Sequence, residues 1–222
     1  MTDRPILFSG PMARALFIGR KTQTRRMLTL RGHKTFSQFG PTDTPGYDWQ
    51  FRDVAMRWHD LRDNELRARL TYAPGDHLWV RETWAVGSIY DGVAPRDINP
   101  GGKPNWCGIR YAATDHRIGI SDRSSIHMPR WASRMTMIVT DVRVQRLQKI
   151  SHHDACCEGV DCTAEERASA EVLGTCDDAV IERFADHWDG LNAKRGFGWD
   201  ANPWVVALTF SVEHRNIDVV PQ

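Results

Sequence analysis

The sequence predicts an α+β, mainly β fold: a small β-barrel with flanking helices and long insertions. Short runs rich in Val, Ile, Thr and aromatic residues recur along the 222-residue chain, and each is typical of a β-strand. Helical patterns stand between only some of these runs. Because strands and helices do not alternate regularly, the sequence disfavours a doubly wound parallel sheet. Residues 1–222 are therefore predicted to form one domain, which is long enough for a substantial core.

The first predicted elements follow the order strand, helix, strand. Residues 4–10 are apolar and end in Gly-Pro, which predicts a strand. Residues 12–19 predict a short helix that ends at Gly19. Residues 21–28 alternate threonine with longer polar side chains, which favours a strand or an extended loop.

Three insertions are predicted, near residues 31–70, 85–105 and 160–185. The first is rich in turn-forming residues, so it is expected to be a loop. Within it, the spacing of apolar residues over 53–70 predicts a surface helix.

The rest of the chain predicts four more strands and two more helices. A short helix is expected to start at the N-cap Ser151, with Asp154 at its third position, and a longer one covers 177–192. The last strand is expected to pair with an early one. The strands are predicted over 77–84, 107–114, 134–147 and 202–214.

Composition limits the classes of function. The formal net charge is +1, so only a local cluster of arginines is expected to hold a polyanion. No apolar run approaches the ~20 residues needed to cross a bilayer, and no signal-like leader is visible, so a cytoplasmic protein without membrane contact is expected. The five cysteines, an odd number, are expected to be free thiols.

One basic run, IGRKTQTRR over residues 18–26, holds the main candidates for chemistry. Thr24 is a nucleophile if a neighbouring group takes its proton, and Lys21 can do so if burial and nearby arginines lower its pKa. The arginines available are Arg20, Arg25 and Arg26. The alternatives left open by the sequence are a solvated basic face and a grip on nucleic acid.

Other clusters are weaker. His152 and Cys156, and likewise His153 and Cys157, have the helical i, i+4 spacing of paired metal ligands. Because the chain has no C-x-x-C or H-E-x-x-H pattern, neither a metal nor another cofactor is predicted. Ser125 and His127 lack an acidic partner nearby, which argues against a triad.

Taken together, several blocks resemble one family. The helix followed by GRKTQTRR, then PGDHLWVRETW, then a β run leading into LQKISHHDACCEGV, then NPWVVALTF, are similar to the activating-signal-cointegrator homology (ASCH) domain. That domain is related to the PUA RNA-binding fold, and the chain resembles its longer members, often encoded by phages and prophages. Each block alone is weak, but their joint occurrence in the family's order is fairly specific.

The resemblance implies an activity and three residues. Some compact bacterial members remove the acetyl group from N4-acetylcytidine with a Lys, a Thr and a Glu. The Lys and Thr of their GRKTxTxR pattern fall on Lys21 and Thr24, and alignment on Leu147 and Ile150 puts their Glu on Glu158. The implied mechanism has Lys21 as base, Thr24 as nucleophile and Glu158 moving protons.

The expected partner is thus a modified nucleoside or an RNA. The arginines of the basic run are expected to tune the lysine or hold the substrate. Among the nine tryptophans, Trp79, Trp84 and Trp131 are candidates for stacking on a base. Two rival interpretations are an RNA-binding module without hydrolysis, in which the arginines contact phosphate, and an ASCH-type ribonuclease, in which Lys21 stabilises phosphate charge.

Overall fold

The computed structural model describes residues 2–33, 35–98, 108–115, 121–163 and 178–219. Within these ranges the fold is mixed α+β, as predicted, with strands in three sheets and few helices. The strands are β1 Asp3–Leu7, β2 Gln23–Met27, β3 Phe36–Pro41, β4 Trp49–Asp53, β5 Trp58–Leu61, β6 His77–Arg81, β7 Trp84–Ala85, β8 Arg110–Tyr111, β9 Thr136–Arg146 and β10 Trp204–Glu213.

The four α-helices of the described ranges lie in three intervals between strands, and two of them follow β9. None of them is long and apolar enough to cross a membrane. They are α1 Gly10–Phe17, α2 Asp63–Arg69, α3 His152–Cys157 and α4 Asp178–Asn192.

The main sheet has five strands in the order β1-β6-β9-β10-β2. β1 and β6 are parallel, and the other pairs are antiparallel. The predicted pairing of the last strand with an early one is confirmed, because β10 lies between β9 and β2. At one end the edge strands approach each other, since Arg26 of β2 donates a hydrogen bond of 2.8 Å to the carbonyl of Leu7 in β1. The mixed sheet with its flanking helices is consistent with the predicted small β-barrel-like domain.

The first predicted insertion is not a loop. It contains the antiparallel sheet β3-β4-β5, and its helix is only α2. Phe39, Phe51 and Leu61, one from each strand, are buried. The apolar spacing that predicted one long helix combines Leu61, the buried residue of β5, with Leu66 of α2. A short strand and a following helix can together imitate helical spacing.

The other predicted elements agree in part. The strand predicted over 77–84 ends at Arg81, and Trp84 begins the separate strand β7. The strand predicted over 107–114 is only the two residues of β8, and Cys107 lies outside the described residues. The insertions near 85–105 and 160–185 also lie partly outside them.

Helices α3 and α4 pack together over one end of β10. Ala155 and Cys156 of α3, Phe184 and Trp188 of α4, and Val205 of β10 share one buried cluster. It is distinct from the larger core on the main sheet. The last part of the predicted third insertion thus forms the start of α4, which packs into this second buried cluster.

Candidate functional site

A pocket with a volume of about 450 Å³, called the central pocket below, opens where β1, β2, α1, α3 and α4 meet. Its lining includes four residues of the basic run, Lys21, Thr24, Arg25 and Arg26, and also Glu158, which follows α3. Its lining residues include Leu7, Phe8, Lys21, Thr24, Arg25, Arg26, Met27, Glu158, Phe184, His187, Trp188, Leu191 and Arg195.

The chain reaches this pocket through a tight turn after α1. Gly19 has a φ of +73°, a left-handed conformation that favours glycine, so the helix ends there as predicted. The backbone N–H groups of Arg20 and Lys21 both donate to the carbonyl of Ala15. Thr24 then lies in β2, paired with Leu208 of β10. The turn and strand together bring Lys21 and Thr24 to the same pocket.

Lys21 is buried and contacts Glu158 twice. Its Nζ donates to the Glu158 carboxylate at 2.8 Å and to the Glu158 main-chain carbonyl at 2.5 Å. Burial lowers the pKa of the Lys21 amine, with Arg25 and Arg26 acting in the same direction and Glu158 opposing them. The amine therefore loses its proton more easily than an exposed lysine does.

Glu158 lies at the C-cap of α3, in a chain of ion pairs in which cations and carboxylates alternate: Lys21, Glu158, Arg25 and Asp154. Arg25 donates to Glu158 at 2.9 Å and to Asp154 at 2.8 Å, and the Arg25 side chain is completely buried. Burial alone would raise the pKa of the Glu158 carboxyl, but Lys21 and Arg25 lower it below its ordinary value. Glu158 is thus held as a carboxylate next to the lysine.

The helix that carries Glu158 begins as the sequence predicts. The Ser151 hydroxyl accepts a hydrogen bond of 3.1 Å from the backbone N–H of Asp154, which is an N-cap interaction. The Asp154 side chain meanwhile binds Gln23 and Arg143 as well as Arg25. The first and last turns of α3 are therefore both tied to β2.

Gly159 allows the close contact between α3 and Lys21. Its φ is +84°, and a Cβ there would lie 2.9 Å from the Lys21 Cβ and 3.0 Å from the Ala15 Cβ. We expect Gly159→Ala to lower the free energy of unfolding by about 2–4 kcal/mol, because backbone strain and overpacking add. Urea denaturation measures this change.

Gly19→Ala is the matched control. Gly19 has a similar φ of +73°, but a Cβ there meets nothing within 4 Å, so only the backbone strain of about 1–2 kcal/mol applies. Equal losses in the two variants would show that the contact between the added Cβ and Lys21 does not lower the free energy of unfolding.

Thr24 lines the central pocket and is almost buried. Among the described residues, no hydrogen bond joins its hydroxyl to Lys21, whose amine contacts Glu158 instead. The direct base–nucleophile hydrogen bond of the implied mechanism is therefore absent from this geometry. A neutral Lys21 amine has two N–H groups for the two Glu158 oxygens and one lone pair left to accept a proton.

The three arginines of the basic run have different roles. Arg20 pairs with the exposed Asp161 at 2.5 Å and lies outside the pocket lining. Arg25 pairs with the carboxylates of Asp154 and Glu158. Arg26 lines the pocket, where its guanidinium stacks 5.0 Å from the ring centroid of Phe8 and donates to Leu7. Of the two expected roles, tuning the lysine suits Arg25, whose side chain is fully buried in ion pairs, and binding of substrate by these arginines stays a prediction.

The three candidate tryptophans do not line the central pocket. Trp84 is 0% exposed and packs edge-on against Trp131, with ring centroids 5.9 Å apart, in a separate core. Trp79 is buried in β6, with the Arg81 guanidinium 4.5 Å from its ring centroid. These residues pack within the protein here, and their stacking on a base stays a prediction.

Helix α4 contributes one face to the pocket, which the sequence did not predict. Phe184, His187, Trp188 and Leu191 follow the i, i+3, i+4, i+7 spacing of one helix face, and all four line the pocket. Burial lowers the pKa of His187, with the Lys21 charge acting in the same direction. The helical spacing was visible in the sequence, but it could not indicate which surface this face covers.

The His/Cys cluster makes local contacts. His153 Nε2 lies 3.4 Å from Cys157 Sγ, and the Sγ atoms of Cys156 and Cys162 are 3.1 Å apart. Within the described ranges, no group of three His, Cys, Asp or Glu side chains is arranged to hold a metal ion.

The chain matches no protein-family model and no curated protein. Among solved structures it is similar to protein EF3133 from Enterococcus faecalis V583, described with the family DUF984. The identity is 10%, the TM-score is 0.41, and the match covers 100% of this chain and 86% of that chain. A likeness this distant carries no functional argument, so function is argued from the pocket.

Proposed function

We propose that this protein is an amide hydrolase that removes an acyl group from N4-acylated cytidine or a related modified nucleoside. The observation that carries the proposal is the contact between the buried Lys21 amine and Glu158 in a pocket that Thr24 also lines. A base with a lowered pKa, a hydroxyl and a carboxylate are the groups that acyl transfer through an ester intermediate needs.

In the first step, neutral Lys21 accepts the proton of the Thr24 hydroxyl. The Thr24 oxygen attacks the amide carbonyl carbon and forms a tetrahedral intermediate. When the C–N bond breaks, the proton passes from Lys21 to the N4 nitrogen of cytosine, which leaves as the amine. Thr24 then carries the acyl group as an ester.

In the second step, water attacks the ester carbonyl. Glu158 or Lys21 accepts a proton from that water and passes it to the Thr24 oxygen as the bond between that oxygen and the acyl carbon breaks, and the carboxylic acid leaves. Glu158 keeps Lys21 in place throughout, because it accepts two hydrogen bonds from the amine. The enzyme ends in its starting state, with no cofactor consumed.

The rival functions make different demands on the same residues. An RNA-binding module would need phosphate contacts from the basic run, but Arg25 is buried in ion pairs and Arg20 pairs with Asp161. A nuclease would produce shortened RNA. Incubation with single-stranded RNA, without and with a divalent metal, therefore separates cleavage from deacylation.

Activity is expected to rise with pH. Lys21 must be neutral to act as base, its neutral fraction grows as the pH passes its pKa, and burial lowers that pKa. The plateau should thus be reached below the pKa of an exposed lysine, which is about 10.4. A profile of kcat/KM against pH measures this, and His187→Gln is the control because His187 also titrates in the pocket. If His187→Gln abolishes the rise, His187 and not Lys21 is the base.

The proposal itself is tested by incubating the protein with a panel of N4-acylcytidines and identifying products by mass spectrometry. Cytidine and the free acid should accumulate with the wild-type protein. No product from any member of the panel would contradict the proposal.

A further inference from the structure

A second cavity, with a volume of about 560 Å³ and called the side pocket below, adjoins the central pocket. Met27 and Arg195 line both cavities, so these two residues lie at the boundary between them. The other walls of the side pocket come from residues just after β2, from β3, from the chain between α4 and β10, and from Arg146 and Trp204 at the ends of β9 and β10.

The side pocket combines flat apolar surface with positive charge. Phe197 is 40% exposed, and the Arg146 guanidinium stacks 4.7 Å from the ring centroid of Trp204. Arg146 and Arg195 line the cavity, while no aspartate or glutamate of the described residues does. Aromatic faces beside guanidinium groups suit a nucleobase and its phosphate.

Arg195 stands at the junction of the two cavities. It is exposed, and within the described part of the chain no hydrogen bond or ion pair occupies its guanidinium. An unpaired guanidinium between two cavities can bind a group that links their occupants, and it favours an anion with two acceptor oxygens. A phosphodiester that joins two nucleosides is such a group.

We propose that the side pocket binds the nucleotide next to the modified cytidine in a single-stranded RNA, and that Arg195 binds the phosphodiester between them. The inference rests on the proposed function, which places the modified base in the central pocket. It assigns an RNA strand as the preferred substrate over the free nucleoside.

The test compares kcat/KM for N4-acetylcytidine with kcat/KM for dinucleotides that carry the same base with a 3′ or a 5′ neighbour. One of the dinucleotides should be preferred by at least about tenfold, the effect of one charge-assisted contact. Arg195→Ala should reduce that preference about tenfold, whereas Lys194→Ala should keep it. Lys194 is the matched control because it is an adjacent exposed cation that lines neither pocket.

Equilibrium binding of the same ligands distinguishes a failure of the side-pocket inference from a failure of the proposed function. If nucleoside and dinucleotides react and bind equally well, or Lys194→Ala lowers the preference as much as Arg195→Ala, the side-pocket inference is overturned and the proposed function stands. If no ligand is deacylated but a dinucleotide binds more tightly through Arg195, the proposed function fails and the side pocket remains a nucleotide site.

Discussion

Thr24→Val is expected to lower kcat/KM for N4-acylcytidine by at least about a thousandfold, because the substitution removes the nucleophile of the proposed reaction. Valine has the shape of threonine and suits a strand, so β2 and its pairing with β10 should persist. Steady-state kinetics measure the loss. Thermal unfolding of the same variant should show a transition like that of the wild type.

Thr22→Val is the matched control for this experiment. Thr22 precedes β2 by one residue, and it does not line the central pocket. Its hydroxyl has no part in the proposed reaction, so activity should stay within about twofold. Full activity in Thr24→Val would exclude Thr24 as the nucleophile and leave direct attack by water as the mechanism.

Glu158→Gln is expected to lower the free energy of unfolding by about 3–5 kcal/mol. The carboxylate lies between the buried cations Lys21 and Arg25, and a neutral amide would leave both without their shared counter-charge. Glutamine keeps the size of the side chain, so a cavity does not contribute. Urea denaturation at neutral pH measures the loss, and turnover should fall as well because Lys21 loses its anchor.

The surface pair of Arg20 and Asp161 supplies the control. Its distance is 2.5 Å, but the Asp161 side chain is 89% exposed, so Asp161→Asn should cost less than about 1 kcal/mol. Adding Lys21→Met to Glu158→Gln should recover part of the stability, since one uncompensated cation is removed. If Glu158→Gln and Asp161→Asn cost the same, the buried ion pairs do not stabilise the fold as described.

Much of the fold could be predicted from local sequence signals. The N-cap at Ser151, the helix stop at Gly19 and the long β run of residues 134–147 each depend on short-range chemistry, and all three appear in the structure. The sheet of the first insertion could not be predicted. Its strands are short, and their spacing with the following helix imitates a longer helix.

The candidate site shows the same division. The basic run itself indicated Lys21, and the resemblance supplied Glu158 although the two are far apart in sequence; their side chains are in contact. The sequence could not show which tryptophans line the pocket, because composition does not distinguish Trp84, which is enclosed in a separate core, from Trp188, which is buried but also lines the central pocket. That distinction depends on how α4 packs against α3, which is a tertiary contact.

The most direct measurement of the central claim is the site of acylation during a single turnover. Wild-type protein mixed with N4-acetylcytidine is quenched in acid at successive times and mapped by peptide mass spectrometry. We expect an acetyl ester on Thr24 that rises with the release of cytidine and then decays as acetate forms. Release of cytidine with the acetyl group on Lys21, or on no residue at any time, would contradict it.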